Sequence, residues 1–273
     1  MSFESRRANE VETLIRTYGG LASVVPALRE VALESNVPAL DFVTRLMQDE
    51  FDITIFLTGV GTRELFTIAQ QAHSRDAVIA ALSRTKVVVR GPKPLAVLRE
   101  LRVPVWAIAA EPNTWRELLA AIEAKSAERP IRGARVAVQE YGVSNEEMMN
   151  ALRDAGAIVT PVPVYRWALP EDVGPLKAAI AATARGEIDV VIFTTGVQLV
   201  HVWRIAQEIH IEDELRRELS RAVIASIGPT TSEELRRHGL SVDFEASHPK
   251  FGSLIRELAE RSAGLLRAKR HDA

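Results

Sequence analysis

The stretch Phe51-Asp-Ile-Thr-Ile-Phe-Leu-Thr-Gly-Val60 returns 137 residues later as Ile188-Asp-Val-Val-Ile-Phe-Thr-Thr-Gly-Val197. Nine of the twenty positions from 51 to 70 are identical at this offset, against roughly one in fifteen for unrelated sequences of ordinary composition. The same offset, without a gap, pairs Gly91-Pro92 with Gly228-Pro229. Because 137 is close to half of the 273 residues, we predict that the chain contains two copies of one ancestral unit.

Each copy alternates short apolar strands with helices. Residues 52–57 and 189–194 are β-branched and aromatic runs, each followed by Thr-Gly-Val and then by apolar residues at helical spacing. A second strand in each copy, at 85–89 and 222–226, precedes Gly-Pro and a further helix. A third unit consists of a strand at 135–139, a helix at 145–154 and a strand at 158–162. This alternation predicts an α/β fold in which parallel sheets are covered by helices on both faces.

Small, hydroxylated and glycine residues follow the predicted strands. The ligand site of a parallel sheet lies beyond the carboxyl ends of its strands, where helix N-termini present backbone N–H groups suited to carboxylates or phosphates. The alternative is that these residues only cap helices and form turns. The candidate binding residues are Thr58, Gly59, Val60, Gly61, Arg90, Gly91, Lys93, Tyr141, Gly142, Thr195, Gly196, Val197, Gly228, Thr230 and Thr231.

Composition excludes several classes of protein. The formal charge of -2 lacks the basic surplus of a general nucleic-acid binder. The absence of cysteine excludes disulfides, thiolate zinc sites and iron–sulfur clusters, and the six histidines show no ligand spacing, so no metal is expected. Neither a Gly-x-Gly-x-x-Gly turn nor a P-loop is present, so no nucleotide cofactor is expected. With neither a signal sequence nor a long apolar segment, a cytoplasmic protein without membrane contact is predicted.

Four features together resemble the uroporphyrinogen-III synthase family. They are the paired Phe-x-Thr-Gly-Val strand ends, the segment Ile227-Gly-Pro-Thr-Thr-Ser-Glu-Glu-Leu-Arg-Arg-His-Gly-Leu240, the strand end Pro163-Val-Tyr-Arg166, and Gly252-Ser-Leu-Ile-Arg-Glu-Leu258. The resemblance implies two similar flavodoxin-like lobes, each a parallel β-sheet flanked by helices, joined by a two-strand linker. Lobe one would hold residues 1–30 and 168–273, and lobe two residues 31–167. Where the family begins with a full apolar strand before its Thr-Arg-like end, this chain has only Phe3-Glu4-Ser5-Arg6, so the first strand of lobe one is expected to be truncated.

The resemblance also implies an activity. The family cyclises the linear tetrapyrrole hydroxymethylbilane with inversion of ring D, which gives uroporphyrinogen III and water in haem biosynthesis. Such a lyase would act as a monomer without a cofactor. Tyr165 would be the general acid, and the strand-end residues would bind the substrate's carboxylates. The turn at 90–94 departs from the family's common Gly-x-x-Thr pattern, and our hypothesis is that Arg90 or Lys93 compensates there as a carboxylate clamp. The alternative is a non-catalytic module that binds a tetrapyrrole-like ligand on the same fold.

Overall fold

The computed structural model describes residues 1–33, 36–140, 142 and 144–271. Its chain divides into two compact units, one formed by Met1–Arg29 with Ala168–Ala273 and the other by Glu30–Trp167. We call them the discontinuous unit and the central unit.

The described residues alternate strands and helices along the whole chain. In chain order the strands are β1 (Arg29–Ala32), β2 (Ile53–Phe56), β3 (Lys86–Val89), β4 (Ala107–Ile108), β5 (Arg135–Gln139), β6 (Ile158–Val162), β7 (Tyr165–Ala168), β8 (Val190–Phe193), β9 (Val223–Ser226) and β10 (Phe244–Glu245). The helices are α1 (Ala8–Thr17), α2 (Val37–Met47), α3 (Gly59–Ala69), α4 (Arg75–Arg84), α5 (Pro92–Glu100), α6 (Trp115–Glu123), α7 (Glu146–Asp154), α8 (Gly174–Ala184), α9 (Gly196–Glu208), α10 (Glu212–Arg221), α11 (Pro229–Arg237) and α12 (Phe251–His271).

The central unit is built on a five-stranded parallel sheet in the order β4-β3-β2-β5-β6. All four residues of β2 are buried. Phe56 packs into a cluster with side chains of α2 and α3, whereas Ile53 and Ile55 pack on the opposite face with side chains of α6 and α7. Because alternate residues of one strand enter two cores, β2 is apolar at three of its four positions, and the buried hydroxyl of the fourth, Thr54, accepts a hydrogen bond from Thr85 Oγ1 at 3.2 Å.

The discontinuous unit repeats this strand order with a reduced edge. Strands β10, β9 and β8 are parallel neighbours, and beyond β8 the chain adds isolated parallel bridges from Ser2 to Ile192 and to Val24. In the central unit, Val138 pairs with Ile55 and Pro161, the residues 137 positions from Ile192 and Val24. Ser2 therefore occupies the position of Val138, one residue away from the register that an ungapped offset gives. The discontinuous unit therefore has isolated bridges at Ser2 where the central unit has the five-residue strand β5.

Strands β1 and β7 pair with each other in a two-stranded sheet, and the chain passes from one unit to the other within them. Gly142, which follows β5, forms a parallel bridge with Arg166 in β7. The predicted α/β fold with parallel sheets flanked by helices is confirmed.

Candidate functional site

The first strand-to-helix turn of the central unit lies at the carboxyl end of β2. Thr58 is the N-cap of α3, and its Oγ1 accepts a hydrogen bond from the Gly61 N–H at 3.0 Å. Gly59 and Val60 are the first two helical residues, so their N–H groups have no acceptor within the helix. The positive end of the helix dipole and these two donors suit a carboxylate.

The second turn, after β3, lies directly against the first. A Cβ atom on Gly59 would lie 2.9 Å from the Lys93 carbonyl oxygen, so only glycine lets the starts of α3 and α5 meet. Proline occupies positions 92 and 94 of α5 and removes two N–H groups from its first turn. The exposed Lys93 side chain supplies positive charge where these donors are missing.

Gln139, at the end of β5, is a site residue that the sequence analysis missed. Its side chain is buried, and Oε1 accepts from the backbone N–H groups of Leu57 at 3.3 Å and Thr58 at 3.4 Å. A Cβ atom on Gly61 would lie 2.1 Å from Gln139 Nε2. The amide thus fills the space that a side chain at position 61 would need. One signal could have found it, a polar residue ending a continuous apolar strand.

In the discontinuous unit, a glutamine at a different sequence position also accepts hydrogen bonds from the two backbone N–H groups that follow the strand. Gln198, in the first turn of α9, accepts through Oε1 from Thr194 N–H at 2.8 Å and Thr195 N–H at 3.4 Å. Its Nε2 donates to the Phe3 carbonyl at 3.1 Å. Position 198 is the repeat counterpart of Gly61, so the two copies hold the same turn with an amide that comes from the helix in one and from the neighbouring strand in the other.

Gly196 and Val197 open α9, and Gly228, Thr230 and Thr231 surround the start of α11. A Cβ atom on Gly196 would meet the Glu234 side chain at 2.1 Å, so the start of α9 lies against the second half of α11, and the strands that lead into the two helices, β8 and β9, are parallel neighbours. The predicted residues of this unit are therefore brought together at the carboxyl ends of β8 and β9.

A cavity of about 320 Å³ in the discontinuous unit was not predicted. It is lined by residues 5–10, at the N-terminus of α1, and Arg6 and Arg7 are among them. Arg7 forms an ion pair with Glu10 and lies over the Phe251 ring at 4.9 Å. Two carboxylates of the chain already engage this helix start, since Glu10 pairs with the Arg7 side chain and Glu4 accepts a hydrogen bond from the Arg7 N–H at 3.2 Å.

Tyr165 and Trp167 belong to β7, the strand that Gly142 bridges just after the end of β5. Tyr141 falls outside the described residues, while Gly142 has φ +67° and would place a Cβ atom 1.9 Å from Trp167 Cδ1. Tyr165 is only 5% exposed and belongs to an apolar cluster of the central unit. Its ring contacts that of Trp167 edge to face, with centroids 5.5 Å apart.

Glu140 is a buried carboxyl that the sequence analysis did not single out. It follows Gln139 at the carboxyl end of β5, and its backbone N–H donates to the Val162 carbonyl at 3.0 Å. The residue is 8% exposed, and burial is the main cause that raises the pKa of its carboxyl above the ordinary value.

The described residues show no group of three His, Asp or Glu side chains that could hold a metal ion. None of the helices in the described part of the chain has the length and apolar character needed to span a bilayer.

Comparison with known proteins identifies the relatives of this chain. The family model for "Uroporphyrinogen-III synthase HemD" matches residues 9–256. A putative uroporphyrinogen-III synthase of Methanothermobacter thermautotrophicus is 30% identical over 86% of this chain and 87% of its own length. The uncharacterized protein YjjA of Bacillus subtilis is 28% identical over 94% of this chain and 93% of its own length.

Solved structures show the same fold. A crystal structure of a mutant uroporphyrinogen III synthase from Thermus thermophilus matches with a TM-score of 0.71 and 24% identity, over 96% of this chain and 97% of that one. The wild-type enzyme of the same bacterium, in another crystal form, matches with a TM-score of 0.54 and 25% identity, over 96% of both chains. The resemblance inferred from the sequence is confirmed.

Proposed function

The chain belongs to the uroporphyrinogen-III synthase family, and we propose that it catalyses the reaction for which the family is named. Hydroxymethylbilane would be cyclised with inversion of ring D to give uroporphyrinogen III and water, which makes the protein a lyase of haem biosynthesis. The observation that carries this proposal is the family match over residues 9–256. A monomeric state, a cytoplasmic location and the absence of a nucleic-acid partner are further predictions.

The strand-end residues would bind the substrate's carboxylates. Hydroxymethylbilane carries acetate and propionate groups on every ring, whereas the chain itself has a net charge of -2. Helix N-termini accommodate such anions without a basic surface, because the donors are backbone N–H groups. Gly59 and Val60 in one unit, and Gly196 and Val197 in the other, open helices α3 and α9 at matched positions. The role of the protein would then be to hold a flexible chain in the shape that favours attack by the substituted ring-D carbon.

Lys93→Gln is expected to raise KM for hydroxymethylbilane about 10-fold, because a hydrogen bond to a charged group contributes about 1.5–3 kcal/mol. The kcat value should change little, since the carboxylates take no part in bond breaking. Lys86→Gln is the matched control, because Lys86 begins β3 at the opposite end of the same strand. An unaltered KM in the Lys93 variant would reject the clamp.

Tyr165 would assist loss of the hydroxyl group as general acid. Tyr165→Phe is expected to lower kcat about 100-fold or more, in the range for loss of a general acid. Steady-state kinetics measure this, with Tyr18→Phe as control because Tyr18 is 43% exposed on α1's C-terminal side. Unchanged turnover in Tyr165→Phe would mean that the buried phenol serves packing only.

The reaction itself is tested with hydroxymethylbilane generated in a coupled assay. The products are oxidised to porphyrins, and the type III isomer is separated from the type I isomer that forms without an enzyme. Predominant type III product is expected. Type I product alone, accompanied by tight binding of the bilane, would favour the non-catalytic binding module instead.

A further inference from the structure

The carboxyl group of Glu140 has hydrogen-bonding capacity that the described protein does not use. Oε1 is buried and has no hydrogen-bond partner in the described structure. The Ser144 side chain, which is exposed, hydrogen-bonds the carboxyl. An acceptor that is nine-tenths buried and incompletely bonded is costly to retain, and such exceptions call for a functional explanation.

The repeat provides an internal comparison. Ser2 occupies the position of Val138, so Glu4 in the discontinuous unit is the structural counterpart of Glu140. Glu4 is equally buried, but its carboxylate accepts from Thr194 Oγ1 at 2.6 Å and from Arg7 N–H at 3.2 Å. A buried glutamate at this strand end can therefore have both carboxylate oxygens bonded by protein groups. Among the described residues, Glu140 Oε1 has no such partner.

The position of Glu140 places it beside the predicted binding residues. Its neighbour Gln139 hydrogen-bonds to Thr58 N–H at the start of α3, and Gly142, two residues further on, pairs with Arg166 next to Tyr165. The backbone of Glu140 thus lies at the carboxyl edge of the central sheet, next to the residue that contacts the start of α3 and two residues before the bridge to β7, the strand that carries the proposed general acid.

We propose that the Glu140 carboxylate accepts a hydrogen bond from a pyrrole N–H of the bound bilane. The negative charge of Glu140 then stabilises the cation formed when the hydroxyl group leaves. This inference rests on the proposed function. Pyrrole N–H groups are the donors that a bilane offers, since its peripheral groups are carboxylates, and an acceptor with a free oxygen is their natural partner.

The charge on the substrate changes during the reaction in a way that favours this contact. When the C–O bond of the hydroxymethyl group breaks, its electron pair leaves with oxygen, which takes up one proton and departs as water. The pyrrole nitrogen donates its lone pair to the exocyclic carbon, so the positive charge spreads to the N–H. Ring closure later releases one proton from the attacked carbon and restores the balance. A carboxylate at the N–H therefore binds the cation more strongly than the neutral substrate, which lowers the barrier.

The proposal predicts how the reaction depends on pH, because Glu140 acts only as an ionised carboxylate. Burial and the negative charge of Glu146 raise the pKa of the Glu140 carboxyl, while the hydrogen bond from Ser144 lowers it. Only the ionised carboxylate stabilises a cation, so kcat/KM should rise with pH through this pKa. Glu146→Gln removes the neighbouring negative charge and should move the acidic limb to lower pH.

The test compares Glu140→Gln, Glu146→Gln and the wild type in the type III product assay between pH 5 and 8. Glu140→Gln is expected to lower kcat about 100-fold to 1000-fold, the range found when one group that stabilises a developing charge is removed. The fall of kcat/KM toward low pH, which we assign to protonation of Glu140, should be absent from this variant. Glu4→Gln is the matched control and should keep the acidic limb, because the Glu4 carboxylate is already bonded by the protein.

Thermal unfolding separates this role from a structural one. A carboxyl whose pKa is raised in the folded state destabilises the fold as pH increases above its unfolded-state value, so Glu140→Gln should be at least as stable as the wild type at pH 8. Lower kcat in a protein of undiminished stability supports the proposal. Wild-type kcat and an unmoved acidic limb in Glu140→Gln would overturn it, even where the wild type produces the type III isomer. A wild type that produces only type I isomer would overturn the proposed function itself, and the role of Glu140 with it.

Discussion

Gln139→Ala is expected to lower the free energy of unfolding by about 2–4 kcal/mol, because it leaves two backbone N–H groups at the end of β2 without their acceptor. Leu57 and Gln139 are 2% and 1% exposed, so the site is closed to bulk water. Chemical unfolding at constant pH measures the loss as a lower midpoint with an unchanged slope.

A second substitution should reverse part of this loss. In the other copy of the repeat, Gln198 supplies the amide from the position that corresponds to Gly61. Gly61→Gln alone should destabilise the protein, since its Cβ atom would overlap the Gln139 amide. The double variant Gly61→Gln/Gln139→Ala reproduces the arrangement of the other copy, and we expect it to be more stable than either single variant. Losses that simply add in this double-mutant cycle would contradict the exchange.

Gly142→Ala is expected to lower the free energy of unfolding by about 2–4 kcal/mol for two reasons. The residue has φ +67°, where a side chain costs about 1–2 kcal/mol. Its Cβ atom would also lie 1.9 Å from both Cδ1 and Nε1 of Trp167, and overpacking of this kind costs about 1–3 kcal/mol. Chemical unfolding gives the stability, and tryptophan fluorescence reports the displaced ring.

Gly133→Ala is the control for backbone strain alone. Gly133 has a similar φ of +74°, but a Cβ atom there would meet nothing within 4 Å. We expect a loss of about 1–2 kcal/mol, the conformational cost without the steric one. Equal losses in the two variants would show that Trp167 moves aside freely. Because Trp167 contacts the Tyr165 ring, Gly142→Ala should also lower turnover.

Most of the fold could be predicted from the sequence because it depends on local patterns. The apolar runs at 52–57 and 189–194 contain β2 and β8, and the Thr-Gly-Val that follows each run opens α3 and α9. Because the two copies share this pattern, the strands of one copy predict those of the other. The ungapped offset of 137 is wrong by one residue at Ser2, which forms isolated bridges at the position that the offset gives to residue 1.

The sequence predicted the backbone positions of the candidate site, but not the side chains that surround them. Helix starts such as Gly59-Val60 and Gly196-Val197 lie where the strand ends indicated, because every parallel strand in such a fold must lead into a turn and a helix. Gln139 is visible in the sequence as a polar residue that ends an apolar strand, but the sequence does not show that its side chain or that of Glu140 is buried, or which groups they contact. Tyr165, taken from the family resemblance, proved to be buried among apolar side chains.

The order of apolar and small residues alone dictates two things about this protein, the parallel α/β architecture and the edge of each sheet where a ligand would bind. Both follow from periodicity, since a strand buried on two faces is apolar at nearly every position and ends where small residues begin. Tertiary structure decided which side chains complete those edges. Gln139 reaches Leu57 across 82 residues of chain, and Glu140 is left with an unused acceptor while Glu4 is bonded. Such contacts depend on how neighbouring strands are paired in space, which no local pattern records.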